Sequence, residues 1–127
     1  MELELVDAPV FRYNVKEVYL TLLHTNIERI QFFEAVDSDT YMVMSDGTRT
    51  IVNAPLYEIE ELLPANSFFR CGWSHIINIS RINRCYMFND ATIIMDCGEE
   101  ILVPRFQRRA VRDIMEKLYS NQDRKIG

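Results

Sequence analysis

The sequence predicts a mainly β domain (a β-rich α+β fold), built from antiparallel hairpins in small packed sheets with two short helices. Apolar-rich runs of strand length alternate with turn pairs such as Asp-Gly and Asn-Asp, which is the pattern of successive hairpins. Two segments show a helical spacing of apolar residues. A length of 127 residues, with 48% hydrophobic and 26% charged residues, suits one domain with a core of its own.

The first part of the chain contains three candidate elements before any clear turn. Residues 2–6 alternate like a strand. Residues 15–23 fit either a strand or a helix, because their β-branched and aromatic content competes with a fair helical spacing. Residues 27–36 are predicted to form a strand, which is followed by an acidic loop at Asp37–Asp39.

A hairpin and a short helix come next. The apolar-rich runs 40–44 and 48–52 flank an Asp-Gly pair, which is typical of a tight hairpin turn. A helix is predicted over about residues 55–63, since Pro55 suits the first helical turn and the apolar residues that follow form one stripe.

Further strands and a closing helix are predicted in the second half. The strand segments are 68–70, 73–79, 81–88, 92–96 and 100–103. Alternation along the second of these segments places Trp73 and His75 on one face. A helix is predicted over about residues 105–119, with its apolar residues on one side.

One domain accounts for most of the chain. We see no internal repeat, no low-complexity stretch and no Gly/Ser linker in the sequence. We therefore expect an N-terminal segment over residues 1–29 that packs on a domain over residues 30–120. Residues 121–127 form a polar tail.

The net charge of −5 argues against a nucleic-acid partner, but the charge is unevenly distributed. Residues 1–61 contain twelve acids and four bases, whereas residues 62–127 contain seven acids and ten bases. Four arginines fall within eight residues with no acid between them, at positions 105, 108, 109 and 112. A basic side of the domain is therefore compatible with an anionic partner.

Several functional classes are disfavoured. No apolar run approaches the ~20 residues of a membrane span, and the acidic N-terminus is unlike a signal peptide, so we expect a cytoplasmic protein. Three cysteines without C-x-x-C spacing disfavour a disulfide framework and a metal site. Cys71 and His75 would lie about 13 Å apart on one strand, too far for proton transfer. Since no P-loop or nucleophile-elbow motif occurs, we predict neither an enzyme nor a cofactor.

Several sequence blocks in a fixed order resemble the LytTR DNA-binding domain family, the output module of many bacterial response regulators. These blocks are Ile30–Ala35, the Asp46-Gly47 hairpin, Leu56–Leu63, Phe68–Asn78 and Gly98–Arg105. The resemblance covers about three quarters of the chain. It implies a β-rich fold that contacts duplex DNA through loops.

The family contacts DNA through three loops, and the resemblance places these loops near Thr40, at Trp73 and at Arg105. It also implies that Arg108 and Arg109 contact phosphates, which positions a protein without reading sequence. The guanidinium of Arg105 could pair with guanine O6 and N7.

The chain departs from the family pattern at two of these loops. Gly72 and Trp73 stand where the family has a histidine and a basic residue, and at the third loop Pro104 stands where the family has a serine before the late arginine. Trp73 therefore has three interpretations: a partly buried packing residue, an anchor for a protein partner, or a contact to a thymine methyl group. We rank the first two above the third. The arginine cluster also has an alternative interpretation as the solvated face of a helix.

The resemblance implies a sequence-specific transcriptional regulator that binds double-stranded DNA, as a homodimer or in pairs on repeated sites. The alternative is a protein-interaction module that keeps the fold and has lost DNA binding. The net charge, the acidic loop and the residues at positions 72 and 73 favour that alternative.

Overall fold

The computed structural model describes residues 15–88 and 90–126, so the predicted strand over residues 2–6 lies outside the described residues. The helices are α1 (Val15–His24), α2 (Leu56–Leu62) and α3 (Arg108–Ile126). The strands are β1 (Ile30–Val36), β2 (Asp39–Met44), β3 (Arg49–Val52), β4 (Phe68–Cys71), β5 (His75–Asn78), β6 (Ile82–Tyr86), β7 (Thr92–Met95) and β8 (Glu100–Leu102). Short 3-10 helices precede β1, β6 and α3, at Ile27–Arg29, Ile79–Arg81 and Arg105–Gln107.

All strand pairs are antiparallel, which confirms the predicted fold class. One sheet has the strand order β3-β2-β1-β5-β4, and a smaller sheet has the order β6-β7-β8. The connections between neighbouring strands are mostly short hairpins, as the Asp-Gly pair predicts for the first of them.

The helices differ from the prediction in number and in length. The ambiguous segment 15–23 is helical, so the described residues contain three α-helices instead of two. The last helix continues to Ile126, through residues predicted to form a polar tail. The chain has no proline or glycine between Pro104 and Gly127, so no strong helix breaker ends α3 earlier.

Strand β1 lies in the middle of the larger sheet and is buried on both faces. Phe33 belongs to a core formed with the two N-terminal helices, whereas Phe32 belongs to a second core on the opposite face. The first core includes Leu22, Met42, Leu56, Ile59, Phe68 and Ile76. The second includes Val43, Ile77, Ile93, Met95, Ile101 and Val111. The domain is therefore layered, with α1 and α2 on one side of the larger sheet and the smaller sheet and α3 on the other.

The pattern Asn-Ile-x-Arg-Ile leads into both β1 and β6, and a residue with a side-chain amide follows it in each copy. Residues 26–31 have the sequence Asn-Ile-Glu-Arg-Ile-Gln, and residues 78–83 have the sequence Asn-Ile-Ser-Arg-Ile-Asn. In each copy the asparagine side chain accepts a hydrogen bond from the backbone N–H two residues later, at 3.0 Å in the first and 3.2 Å in the second. A 3-10 helix then leads into a strand whose register shifts at its second residue.

The turns that face these two motifs also correspond. The Ser45 N–H donates to the Arg29 carbonyl at 2.7 Å, and the Asp96 N–H donates to the Arg81 carbonyl at 2.8 Å. Strands β1–β3 and β6–β8 therefore form two copies of one three-stranded meander. The expectation of no internal repeat is wrong, because the copies share a hydrogen-bond pattern while few of their residues are identical.

The side chain of Gln31 connects the two copies. It is buried, with 1% of its surface exposed. Its amide nitrogen donates to Ser45 Oγ at 2.8 Å, and its amide oxygen accepts the backbone N–H of Cys97 at 3.2 Å. Because Ser45 lies in the β2–β3 turn and Cys97 in the β7–β8 turn, one buried amide holds both turns.

A chain of charged side chains runs across the larger sheet, from β3 through β1 to β5. The carboxylate of Glu34 on β1 pairs with Arg49 on β3, and its second oxygen lies 3.2 Å from His75 Nε2 on β5. Arg49 also pairs with Glu99 at 3.2 Å. Burial lowers the pKa of His75, although Glu34 and Glu99 oppose this shift and Arg49 adds to it.

The turn between β4 and β5 packs against Pro104, which follows β8. Gly72 in this turn has a φ of +77°, in the left-handed region that glycine enters without strain. A Cβ at this position would lie 2.5 Å from Pro104 Cγ. The two segments therefore approach more closely than any side chain at position 72 would allow.

This close approach predicts different costs for two glycine substitutions. Gly98→Ala, at a φ of +94° in open space, is expected to cost about 1–2 kcal/mol for the left-handed conformation alone. Gly72→Ala adds the overlap with Pro104 and is expected to cost about 2–5 kcal/mol. Urea unfolding followed by circular dichroism measures both values. Equal losses would show that the contact with Pro104 adds nothing.

The lowered pKa of His75 predicts a pH-dependent stability. An unfolded chain takes up the imidazole proton near pH 6.5, before the folded protein does. The stability contribution is therefore present above that pH and is lost as the pH falls below it. The free energy of unfolding of His75→Gln should fall less than that of the wild type between pH 7 and pH 5.5. Identical pH profiles for the two proteins would contradict this assignment.

Candidate nucleic-acid interface

Two of the three predicted contact loops lie together. The β4–β5 turn (Gly72–Ser74) and the segment Pro104–Phe106 are in contact, through Gly72 against Pro104 and through the two aromatic rings. The ring centroids of Trp73 and Phe106 are 5.8 Å apart, with the planes tilted by 51°. These contacts bring the turn that contains Trp73 against the segment that contains Arg105.

Trp73 lies in the turn and is 79% exposed. Strand β5 begins only at His75, so the predicted strand face shared by these two residues does not form. Because its side chain is mostly exposed, the interpretation of Trp73 as a partly buried packing residue is also wrong. An indole exposed to this degree contributes little to the core.

The backbone of this turn is fixed by Arg70. Its Nε donates to the Gly72 carbonyl at 2.8 Å, and its Nη2 donates to the Trp73 carbonyl at 3.2 Å. Its Nη1 pairs with Glu60 at the end of α2, at 3.4 Å. Arg70 is a positioning residue that sequence reasoning missed, although an arginine two residues before a turn glycine is a visible signal.

The arginine cluster divides into two groups. Arg105, Arg109 and Arg112 are exposed, and the ion pairs among the described residues include none of the three. Arg108 lies against the β6–β7 turn, where its Nη2 is 3.8 Å from Asp90 and its Nε is buried without a partner. The side chain of Arg108 is only 28% exposed, because it precedes the buried Val111 by nearly one helical turn.

Thr40 is buried on β2, with 6% of its surface exposed. It stands between Ala35 of β1 and Val52 of β3 in the ladder. The exposed residues of that loop are instead Val36, Asp37 and Ser38. The loop predicted near Thr40 therefore presents an acidic tip, and Thr40 itself does not join the other predicted residues.

Exposed apolar side chains are grouped at the β4–β5 turn. Leu102 and Phe106 are 69% and 61% exposed, beside Trp73. An open groove next to them has both polar and apolar residues in its lining, which consists of Glu34, Cys71, Trp73, Ser74, His75, Glu100, Leu102 and Pro104. Exposed apolar residues grouped in this way usually mark a contact surface.

Cys71 and His75 do not form a reactive pair. They are direct cross-strand neighbours in the β4–β5 hairpin, so the separation of about 13 Å expected on one strand is wrong. Burial raises the pKa of the Cys71 thiol to about 11, which keeps it protonated and unreactive.

Across residues 15–88 and 90–126, no three side chains of His, Cys, Asp or Glu group closely enough to hold a metal ion. In the same ranges, no helix has the length and apolar character needed to cross a membrane.

Comparisons with known proteins agree with this architecture. The sequence model of the LytTr DNA-binding domain family matches residues 21–116. A similar solved structure is the LytTr DNA-binding domain of a Bacillus cereus protein described as a methyl-accepting/DNA response regulator. It is 28% identical, with a TM-score of 0.66, and the match covers 72% of this chain and 84% of that one. The comparison with curated proteins found no match. Because the family model spans most of the chain and the folds agree, the chain belongs to the LytTr DNA-binding domain family.

Proposed function

We propose that this domain binds double-stranded DNA in a sequence-specific manner and regulates transcription from the bound site. Membership of a DNA-binding family supports the general activity. The observation that carries the proposal is the placement of Arg105 and Arg109. Both are exposed, and they lie four residues apart in a segment whose start packs against the β4–β5 turn.

In this proposal Arg105 reads a base edge. Its guanidinium offers parallel donors that fit O6 and N7 of guanine in the major groove. The preceding residue, Pro104, is held against Gly72, so the backbone that carries Arg105 is fixed before DNA arrives. A preorganised contact of this kind loses less conformational entropy on binding than a mobile loop does.

Arg109 supplies a phosphate contact in the same proposal. It follows Arg105 by about one helical turn, so both side chains lie on neighbouring parts of one surface. Arg108 has a smaller part, because it faces Asp90 and is mostly covered. Thr40 has none, since its side chain is buried. Paired binding on repeated sites, as a homodimer or as two monomers, stays a prediction.

A protein-interaction module is the second candidate function. The observation that favours it is the exposed apolar group of Trp73, Leu102 and Phe106 on the same surface. An anchoring tryptophan in an interface can contribute about 2 kcal/mol or more to binding. The two functions predict different salt effects. Only the DNA complex releases counterions, so only its affinity should weaken steeply as salt is added.

Selection from a library of random duplexes with the purified chain tests the proposed function. A repeated motif should be enriched at low salt, and its binding should weaken as salt is added. If no motif is enriched in low salt, sequence-specific DNA binding is excluded and the interaction module becomes the better assignment.

Arg105→Ala is expected to weaken binding to the enriched duplex by about 1–3 kcal/mol and to relax preference at one base pair. The matched control is Arg29→Ala. Arg29 is also exposed, but it lies at the opposite end of β1 from Ala35, which binds the Ser74 carbonyl of the β4–β5 turn. The distance between the two ends is about 20 Å. The control removes the same charge and should change affinity much less. Equal effects of the two substitutions would show that Arg105 acts only through net charge.

Arg109→Ala should flatten the plot of log affinity against log salt by about one unit, without changing sequence preference. Arg108→Ala should change this slope less, because that guanidinium already faces Asp90. Fluorescence anisotropy over a salt series measures both slopes. A larger effect at Arg108 than at Arg109 would contradict the division of the cluster.

A further inference from the structure

The aromatic pair of Trp73 and Phe106 is exposed, but hydrogen bonds hold the backbone that carries Trp73 in place. The Trp73 carbonyl accepts a hydrogen bond from Arg70, and the next carbonyl, that of Ser74, accepts the backbone N–H of Ala35 at 2.8 Å. The two rings meet with their centroids 5.8 Å apart. An indole on a rigid turn loses little freedom when it is covered, which suits a recognition contact.

The aromatic pair itself offers few hydrogen-bonding groups, whereas the groove beside it carries the side chains of Ser74 and His75 and the carboxylates of Glu34 and Glu100. Gly72 has no side chain, Phe106 has no polar atom, and Trp73 has a single N–H donor and no acceptor. Among the groups that DNA bases present in the major groove, the C5-methyl of thymine is the one that matches an apolar ring. The guanidinium groups of Arg105 and Arg109 in the neighbouring segment favour a polyanionic partner.

We infer that Trp73, supported by Phe106, reads the methyl group of a thymine next to the guanine contacted by Arg105. This inference rests on the proposed function and goes one step further, because it names the base and the group that is read. The domain then replaces a polar contact of its family with an apolar one at this loop.

Substitution of thymine by deoxyuridine tests the inference directly. Uracil lacks the methyl group but keeps the donors and acceptors of thymine. The enriched duplex is prepared with thymine and with deoxyuridine, and both forms are titrated with the wild-type chain. The thymine form should bind about fourfold more tightly for one contacted methyl, which corresponds to about 0.8 kcal/mol.

Variants of Trp73 separate a methyl contact from an effect of uracil on DNA shape. Trp73→Ala should bind the thymine and deoxyuridine forms equally, and Trp73→Phe should keep part of the discrimination. Tyr19→Ala is the matched control, because Tyr19 is a half-exposed aromatic on α1, on the other side of the larger sheet. It should keep the full ratio. Thermal unfolding confirms that each variant is folded.

The remaining outcomes separate the two proposals. Enrichment of a motif with equal affinity for both forms overturns the thymine contact and leaves DNA binding in place. If Trp73→Ala weakens binding to both forms by the same factor, the preference for thymine remains. This result overturns the thymine contact as well, since the indole then contacts sugar or phosphate. Loss of self-association in Trp73→Ala, measured by sedimentation, overturns it in favour of a second copy. If no duplex is enriched, the proposed function itself fails.

Discussion

The architecture depends on the burial of both faces of β1. Its first four residues, from Ile30 to Phe33, each expose 1% of their surface or less. A strand in an ordinary two-layer domain buries every second side chain, so four consecutive buried side chains need a layer on each side of the strand. Helices α1 and α2 supply one layer, and the smaller sheet with α3 supplies the other. The register shift at Gln31 fits this requirement, because it allows Ile30 and Phe33 to enter the same core although they are three residues apart.

The candidate interface is a consequence of this layering. The smaller sheet packs over Phe32 and Ile77, so the end of β8 lies beside the β4–β5 turn that precedes Ile77. Neither sheet alone contains the surface. The turn contributes an exposed indole, and the segment after β8 contributes Arg105 and Phe106. A change in how the sheets pack therefore changes the spacing of these groups, even when no residue of the interface is altered.

Much of the fold could be predicted because turns and helix starts are encoded locally. The Asp-Gly turn and the helix after Pro55 depend on residues within a few positions of each other. The exposure of Trp73 and the burial of Thr40 depend on neighbours distant in sequence, which periodicity does not specify. The same holds for Cys71 and His75, which become neighbours only because a glycine turns the chain between them. Of the predicted site, the family resemblance supplied positions 73 and 105 as candidates, whereas the contact between their segments and the orientation of Arg108 toward Asp90 required the structure.

The repeated meander gives the folding chain a choice between two similar partners. The pattern Asn-Ile-x-Arg-Ile occurs before β1 and before β6, and each copy offers an arginine carbonyl to the N–H of a following turn. Local signals alone do not distinguish correct from exchanged pairing, and exchanged pairs are a known source of kinetic traps. The residue after the shared pattern differs, since Gln31 is buried and bonded to both turns whereas Asn83 is exposed. The strand at the centre of the domain thus carries a buried amide that connects both copies, whereas the strand at the edge of the smaller sheet carries an exposed one.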